Sequence, residues 1–383
     1  MKKIIFFSST RADFGLLSKL IKKVQSKSKN TKVIVFGNHF LKKFGYSFNE
    51  IKESKLKNII KVYTFSSKTD DENIIKNFSK TIIKIGKKLN NLKPSIIVLL
   101  GDRYETLAVA ISAMLNRIPI AHIAGGELTA GAFDDSIRHS ISKMAHIHFT
   151  SHQAYKNRLI QLGENKNRIF NYGGLGVANI KKSKLMKKKQ VLNELGITPK
   201  DKYVVITFHP ITLDKNRSTQ YFLNLLACLE KFKTIYKIFT FPNSDNESDQ
   251  LIKALVKFKK KNNNVLIYKS LGQIKYFSVL KFSLGLIGNS SSGILEAPSF
   301  KVPVLNIGDR QKGRIMSKNI INSNYSIKKI NRSLKKFFSK SFRKSLLKYN
   351  NIFYKKNTIE KTAEKILSLK NIDIKKNFFD IKL

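Results

Sequence analysis

The sequence predicts an α/β protein built from two Rossmann-like, doubly wound domains with a cleft between them. Short apolar runs rich in Ile, Val, Leu and Phe recur along the chain and alternate with helical stretches, the pattern of a parallel sheet covered on both faces. The pattern breaks in the charged stretch IKKSKLMKKKQ and restarts at Tyr203. A chain of 383 residues also exceeds what one core usually serves, and 42% hydrophobic residues suffice to fill two. The domains are therefore expected at 1–180 and 191–383, joined near Lys181 to Gln190, with the last helices able to pack back on the first domain.

Taken in order, Lys3 to Ser9 reads as a first strand that turns through TRADFG into the helix LLSKLIKKVQ. No GxGxxG is present, but Arg11 directly after a first strand is placed for phosphate contact. Lys32 to Phe36 is the second strand, ending at Gly37-Asn38-His39, and Ile59 to Tyr63 the third. After a long helix (Glu72 to Leu89) comes IIVLL, which runs into Gly101-Asp102-Arg103 and the helix YETLAVAISAML. Ile118 to Ile123 follows and ends in Gly125-Gly126-Glu127. Two strands thus each stop at glycine beside a carboxylate, and the carboxyl ends of strands are where open α/β sheets bind ligands.

A new helix opens near Asp134. At 100° per residue, Asp134 and Arg138 project onto the face that carries Ile141 and Ala145. Two charges on a packed face are costly unless they pair or meet a ligand. Asp134 or Asp135 as a helix cap with Arg138 as its local partner would serve structure alone. Asp102, Arg103 and Glu127 at neighbouring strand ends favour an active site. His122, His146 and His148 lie in apolar strands and read as core histidines. Ile147 to Thr150 is another strand, Ser151 to Leu162 a helix, and IFNYGGLGVANI supplies the last strand of this half.

In the second half, Tyr203 to Phe208 is a strand stopping at His209-Pro210, and Lys237 to Phe241 and Val265 to Tyr268 are two more. Leu284 to Ile287 leads into Gly288-Asn289-Ser290-Ser291-Ser292-Gly293, then a helix, ILEAPSF, and a strand, VPVLNIG. Such a loop presents N–H groups and hydroxyls to an anion. Glu296, expected one turn inside the helix, could accept hydrogen bonds from ribose, and Arg310 could neutralise a phosphate. Helices are expected at Ser341 to Asn350 and Ile359 to Leu369.

Composition narrows the class. The formal charge of +48 suggests nucleic acid, but the lysines are scattered through every segment, so no nucleic-acid partner is expected. Cys228 lies in an apolar helical stretch and reads as core, and a single cysteine excludes an internal disulfide or a cysteine metal cluster, which fits a reducing cytoplasm. No apolar run nears the roughly 18 residues that span a bilayer, so no membrane role is expected. A homodimer or higher homo-oligomer is the default assembly.

Seven motifs in order, STRADFGLL, GNHF with FGY, GDRYETLAVA, HIAGGELTAGAFDDSIRHSISKMAH, TFHP, GNSSSGILE and GDRQKGR, resemble the UDP-N-acetylglucosamine 2-epimerases. The match resembles most the hydrolysing branch that feeds sialic-acid-type sugar synthesis, and it runs to about Arg314. The resemblance implies the glycosyltransferase-B architecture with UDP-sugar in the cleft. It places Arg11 on the diphosphate, with His39 also among the substrate-binding residues. Asp102, Arg103, Asp134 and Arg138 would surround the sugar, and His209 would lie beneath the phosphate–sugar linkage. Ser290, Ser291, Glu296 and Arg310 would hold UDP. Several relatives carry a carboxylate two residues after the histidine that matches His122, where this chain has Ala124. Glu127 and Asp134 are therefore the candidates for proton abstraction.

The implied reaction eliminates UDP from C1 with loss of the C2 proton, then hydrates the 2-acetamidoglucal to a free N-acetylmannosamine-type sugar. It needs a carboxylate base held partly out of water and cations aimed at the leaving diphosphate. It requires no metal or other cofactor. UDP-N-acetylglucosamine and UDP-N,N'-diacetylbacillosamine (the legionaminic acid route) both fit as substrates. A glycosyltransferase of the same fold, and a basic nucleic-acid-binding protein, are the competing readings.

Overall fold

The computed structural model describes residues 2–66, 70–129, 133–211, 217–242 and 247–381. Contacts divide the chain into two compact units. The first comprises Met1–Glu127, Asp134–Asn179 and Phe353–Leu383, and the second Leu128–Phe133 and Ile180–Ile352. The chain after Phe353 therefore belongs with the first unit.

In the first unit the strands are β1 (Ile4–Ser8), β2 (Thr31–Val35), β3 (Ile59–Lys61), β4 (Ile96–Leu100), β5 (Ile120–Ile123), β6 (Ile147–Thr150) and β7 (Ile169–Asn171). They form one parallel sheet in the order β3-β2-β1-β4-β5-β6-β7. Because side chains alternate along a strand, Ile4, Phe6, Ile96 and Val98 face one core, and Ile5, Phe7, Ile97 and Leu99 face the other. The Arg11–Lys27 and Thr358–Ser368 helices close the first face. The Asp71–Leu92, Tyr104–Leu115 and Asp134–Met144 helices close the second. The burial of strands on both faces explains why they read as continuous apolar runs.

The second unit repeats the plan with β8 (Lys202–Thr207), β9 (Ile235–Thr240), β10 (Val265–Tyr268), β11 (Leu286–Gly288), β12 (Val304–Ile307) and β13 (Ile320–Ser323). Their parallel order is β10-β9-β8-β11-β12-β13. Cys228 is buried in the Ser218–Glu230 helix, as its apolar surroundings suggest.

Both orders reverse once, between β1 and β4 and between β8 and β11. Helices on either side of such a switch point leave opposite faces of the sheet, so the strand ends there lie open to a ligand. The loops and helix starts at these points carry Arg11 and Asp102 in one unit, and His209 and Ser290 in the other. At Gly288, φ is 135° and a Cβ would collide with the Thr207 carbonyl of β8. Only glycine lets β11 close on β8 there.

Several local expectations shift. The ILEAPSF helix is instead a short helix, Ser291–Leu295, followed by a 3-10 turn, Ala297–Phe300. Pro298 lacks the N–H that would continue the helix. Glu296 accordingly lies at the helix's carboxyl end and not one turn inside. The expected 341–350 helix is a turn and a half (Lys340–Ser345) with a 3-10 extension, and β13 escaped the sequence reading.

Candidate functional site

In the first unit the focus is Arg138, one of the largest fully buried side chains, at 1% exposure. Its guanidinium pairs with the Asp102 carboxylate at the end of β4. It also donates to the Glu127 carbonyl at 2.8 Å and meets Asp135 at 3.4 Å. A buried guanidinium is tolerable only when its charge is compensated and its donors are used. The helical periodicity correctly placed Arg138 on the packed face. Its ionic partners include Asp135 and, from another element, Asp102. Asp134 stands half-buried on the first turn of the same helix.

A second set of bonds fixes that helix against the strand ends. Ser142 Oγ lies 2.9 Å from the Arg138 carbonyl and 3.1 Å from His122 Nδ1. His122 Nε2 lies 2.7 Å from the Gly101 carbonyl, next to Asp102. A carbonyl can only accept, so Nε2 carries the proton. Burial pulls the His122 pKa down to about 3, and the ring stays neutral near pH 7. His122 is a satisfied core histidine, as its strand position suggested. Ala124, at the end of β5, adopts φ 67°, unusual for a residue with a side chain.

Arg103 is held by Glu105, whose carboxylate takes its Nε at 3.1 Å and Nη2 at 3.1 Å. Glu105 is fully buried, and burial raises its pKa against the opposing pull of Arg103. Glu127 is 4% exposed and accepts from Ser151 Oγ at 3.1 Å. Across the switch point, Asp13 closes a capping box with Thr10 and accepts from Ser9 N–H at 2.9 Å. Burial alone would raise the Asp13 pKa, but the nearby His39 ring and bonds from Ser8 and Ser9 bring it below the ordinary value. His39 is fully buried, with Nε2 2.8 Å from Ser8 and Nδ1 2.8 Å from Ser47. Both its ring nitrogens are thus engaged within the protein. Arg11, at the start of its helix, is half-buried, and burial lowers its pKa while Glu50 opposes the shift.

In the second unit the organising side chain is Asn289, fully buried at the end of β11. Its carboxamide accepts from His209 N–H at 2.7 Å and donates to the His209 carbonyl at 2.8 Å. Its own carbonyl accepts from Gln311 at 2.9 Å and Arg310 at 3.3 Å. Three loops, after β8, β11 and β12, are thereby fixed to one residue. Ser290 caps the short helix by accepting from Ser292 N–H at 3.3 Å. Tyr276 holds Ser292 Oγ at 2.8 Å, and burial raises the phenol's pKa. Ser290 and Ser291 are half-buried, whereas Glu296 and Arg310 are buried. Two serine hydroxyls and the Arg310 guanidinium thus lie around this strand end, with the Glu296 carboxylate at the far end of the short helix, residue types that can bind a nucleoside diphosphate.

Sequence reasoning named Arg138, Asp102 and the serine loop but missed Asp13, Glu105, Asn289 and Gln311. Asp13 was legible as the last residue of a Thr-x-x-Asp capping pattern. Glu105 carries no such signal, since a glutamate in a first helical turn ordinarily serves the helix dipole.

Comparison with known proteins gives four matches. Residues 22–367 match the family model for UDP-N-acetylglucosamine 2-epimerase. A GDP/UDP-N,N'-diacetylbacillosamine 2-epimerase (hydrolyzing) of Campylobacter jejuni is 39% identical, covering 99% of each chain. Polysialic acid biosynthesis protein P7 of Escherichia coli is 34% identical over 100% of this chain and 98% of its own. Among solved structures, a Neisseria meningitidis UDP-GlcNAc 2-epimerase bound to UDP-GlcNAc superposes with a TM-score of 0.80 at 18% identity. That match covers 96% of this chain and all of the other.

Proposed function

The chain belongs to the UDP-N-acetylglucosamine 2-epimerase family, and on that premise we propose that it is a hydrolysing 2-epimerase of a UDP-2-acetamido sugar. The observation that carries the reading is the buried Arg138 paired with Asp102 at the switch point of the first sheet. A charge pair held at a ligand-binding strand end is poorly explained by stability, since apolar residues fill such space as well or better.

The reaction removes the C2 proton, breaks the C1–O bond with departure of UDP, and adds water across the resulting double bond. The hydroxyl goes to C1 and a proton returns to C2. Inversion at C2 requires that this proton arrive on the face opposite to the one it left. Two groups are therefore needed, and Glu127 and Asp134 are the proposed pair. Asp102 and Arg138 would orient the sugar and balance charge as it develops. Arg11 and Arg103 would meet the diphosphate and sugar. Ser290, Ser291, Glu296 and Arg310 would hold UDP, with His209 near the breaking bond. His39 would act by shaping the Arg11 loop, because Ser8 and Ser47 already occupy its ring. No metal or cofactor enters this scheme, and a homo-oligomer in the cytoplasm is the proposed setting.

The substrate is either UDP-N-acetylglucosamine or UDP-N,N'-diacetylbacillosamine. Incubation with each, in deuterated water, with products identified by NMR, tests the reading. The expected result is UDP plus a free 2-epimeric sugar carrying deuterium at C2. Release of UDP without deuterium at C2 would exclude the elimination route.

A further inference from the structure

Residues after Asp373 have no part in the scheme above, yet they reach the helix that carries Asp134, Asp135 and Arg138. Lys376 Nζ donates to the carbonyls of Lys143 and Ala145 at 2.7 Å each, and of Ser142 at 3.2 Å. These are carbonyls at the carboxyl end of the Asp134–Met144 helix, where no further turn supplies donors. The same ammonium lies 2.7 Å from Glu164, which also takes His148 and Lys143 at 2.9 Å. Next to it, Phe379 N–H donates to the Gly163 carbonyl at 2.9 Å, and Lys143 lies over the Phe378 ring. On the other side, the Ile374 carbonyl lies 3.3 Å from His146 Nε2, so the tail is fixed on both sides of Lys376.

The bonds continue toward the reaction centre. Ser142, whose carbonyl meets Lys376, carries the hydroxyl that meets His122, and His122 reaches the Gly101 carbonyl beside Asp102. Arg138 lies one turn before Ser142 and closes the circuit on Asp102. A cation at a helix carboxyl end offsets the helix dipole, and here it also ties that end to a separate segment of the chain.

We infer that Lys376 is a positioning residue for the Arg138–Asp102 pair, fixing the helix from its carboxyl end so that Arg138 meets Asp102 in register. The inference rests on the 2-epimerase reading. Small displacements of positioned groups cost rate steeply, whereas UDP held by the second unit should not sense the change.

The test is UDP release by full-length Lys376→Met and Lys376→Arg, with turnover divided by the number of UDP sites counted calorimetrically. For Lys376→Met, kcat per site should fall at least about tenfold while KM and UDP affinity stay within about twofold. Lys376→Arg, which keeps a cation and donors, should recover to within about threefold of wild type. A kcat per site in Lys376→Met within about twofold of wild type overturns the inference. So does equal impairment of both variants with weakened UDP binding, which marks general loss of folding. If Lys376→Met does not fold, Lys376→Gln is judged by the same criteria. Wild-type protein that releases no UDP from either UDP-sugar sinks the epimerase reading, and this inference with it.

Discussion

Arg138 and Asp102 come from different elements, a helix and a strand end, and form an ion pair in which the arginine is almost wholly buried and the aspartate partly open. The asymmetry matters. The open partner can touch a substrate, while the buried one sets its position and charge.

Asp102→Asn should therefore leave UDP affinity nearly intact and lower turnover at least about a hundredfold, the scale of a lost acid–base or electrostatic contribution. The melting temperature should also drop, because the buried Arg138 loses the Asp102 charge and keeps the more distant Asp135. Wild-type turnover in the variant would remove Asp102 from the chemistry.

The second unit should show the reverse pattern. Glu296 is buried beside the serine loop, and Glu296→Ala should weaken UDP by about 1.5–3 kcal/mol, the scale of hydrogen bonds to a charged group. Unchanged UDP affinity by calorimetry would cancel the ribose assignment.

Asn289 makes a separable case, because its side chain serves the backbone of His209 at both N–H and carbonyl. Asn289→Ala strands both buried groups and should cost about 2–4 kcal/mol of stability in urea unfolding. Asn289→Asp keeps the acceptor for the N–H but sets a charged oxygen against the His209 carbonyl in a fully buried site, so its loss near pH 7 should be larger. Equal losses in the two variants would contradict the two-bond clamp.

The strands and the switch-point loops were legible because period-two burial on both faces writes continuous apolar runs, and glycine marks where they stop. Arg138 was legible because helical periodicity put a charge on a packed face. Its pairing with Asp102 was not, since the two lie 36 positions apart and local spacing carries no such information. Asn289 was seen only as part of a polar loop. Its role depends on β8 and β11 lying side by side, which the order of strands in the chain does not dictate. The helix around Ser291 was overestimated because its apolar pattern continues past the proline that ends it.

Acid should weaken the first unit through Glu164 and His148. Burial alone would raise the Glu164 pKa, but His148 and Lys376 bring it down to about 2 from 4.5. A carboxyl with a depressed native pKa contributes stability above its unfolded pKa and loses it as pH falls through 4.5 towards 2. Burial also lowers the His148 pKa, so the unfolded chain takes up that proton first, and stability declines already below 6.5. Melting temperatures should fall from pH 7 to about pH 2 in wild type, and the part of the fall below pH 4.5 should be shallower in Glu164→Gln. Parallel curves would show that Glu164 does not supply the acid sensitivity.

The charge of +48 allows a final separation of chemistry from composition. The 73 lysines and arginines are spread over the whole sequence, so duplex DNA should bind only through counterion release. That binding should collapse as salt rises, because each phosphate contact contributes a fixed slope against the logarithm of salt. In the proposed scheme, turnover of the UDP-sugar depends on buried or half-buried groups, Arg310, Arg138 and Arg11 among them, which salt screens less. Two titrations up to about 0.15 M salt, one of DNA affinity and one of UDP release, make the comparison. DNA affinity should fall by orders of magnitude while UDP release declines little. Tight, sequence-dependent DNA binding at the upper salt, with no UDP released from either UDP-sugar, would reverse the assignment, since scattered solvated lysines can provide affinity at low salt but no base readout.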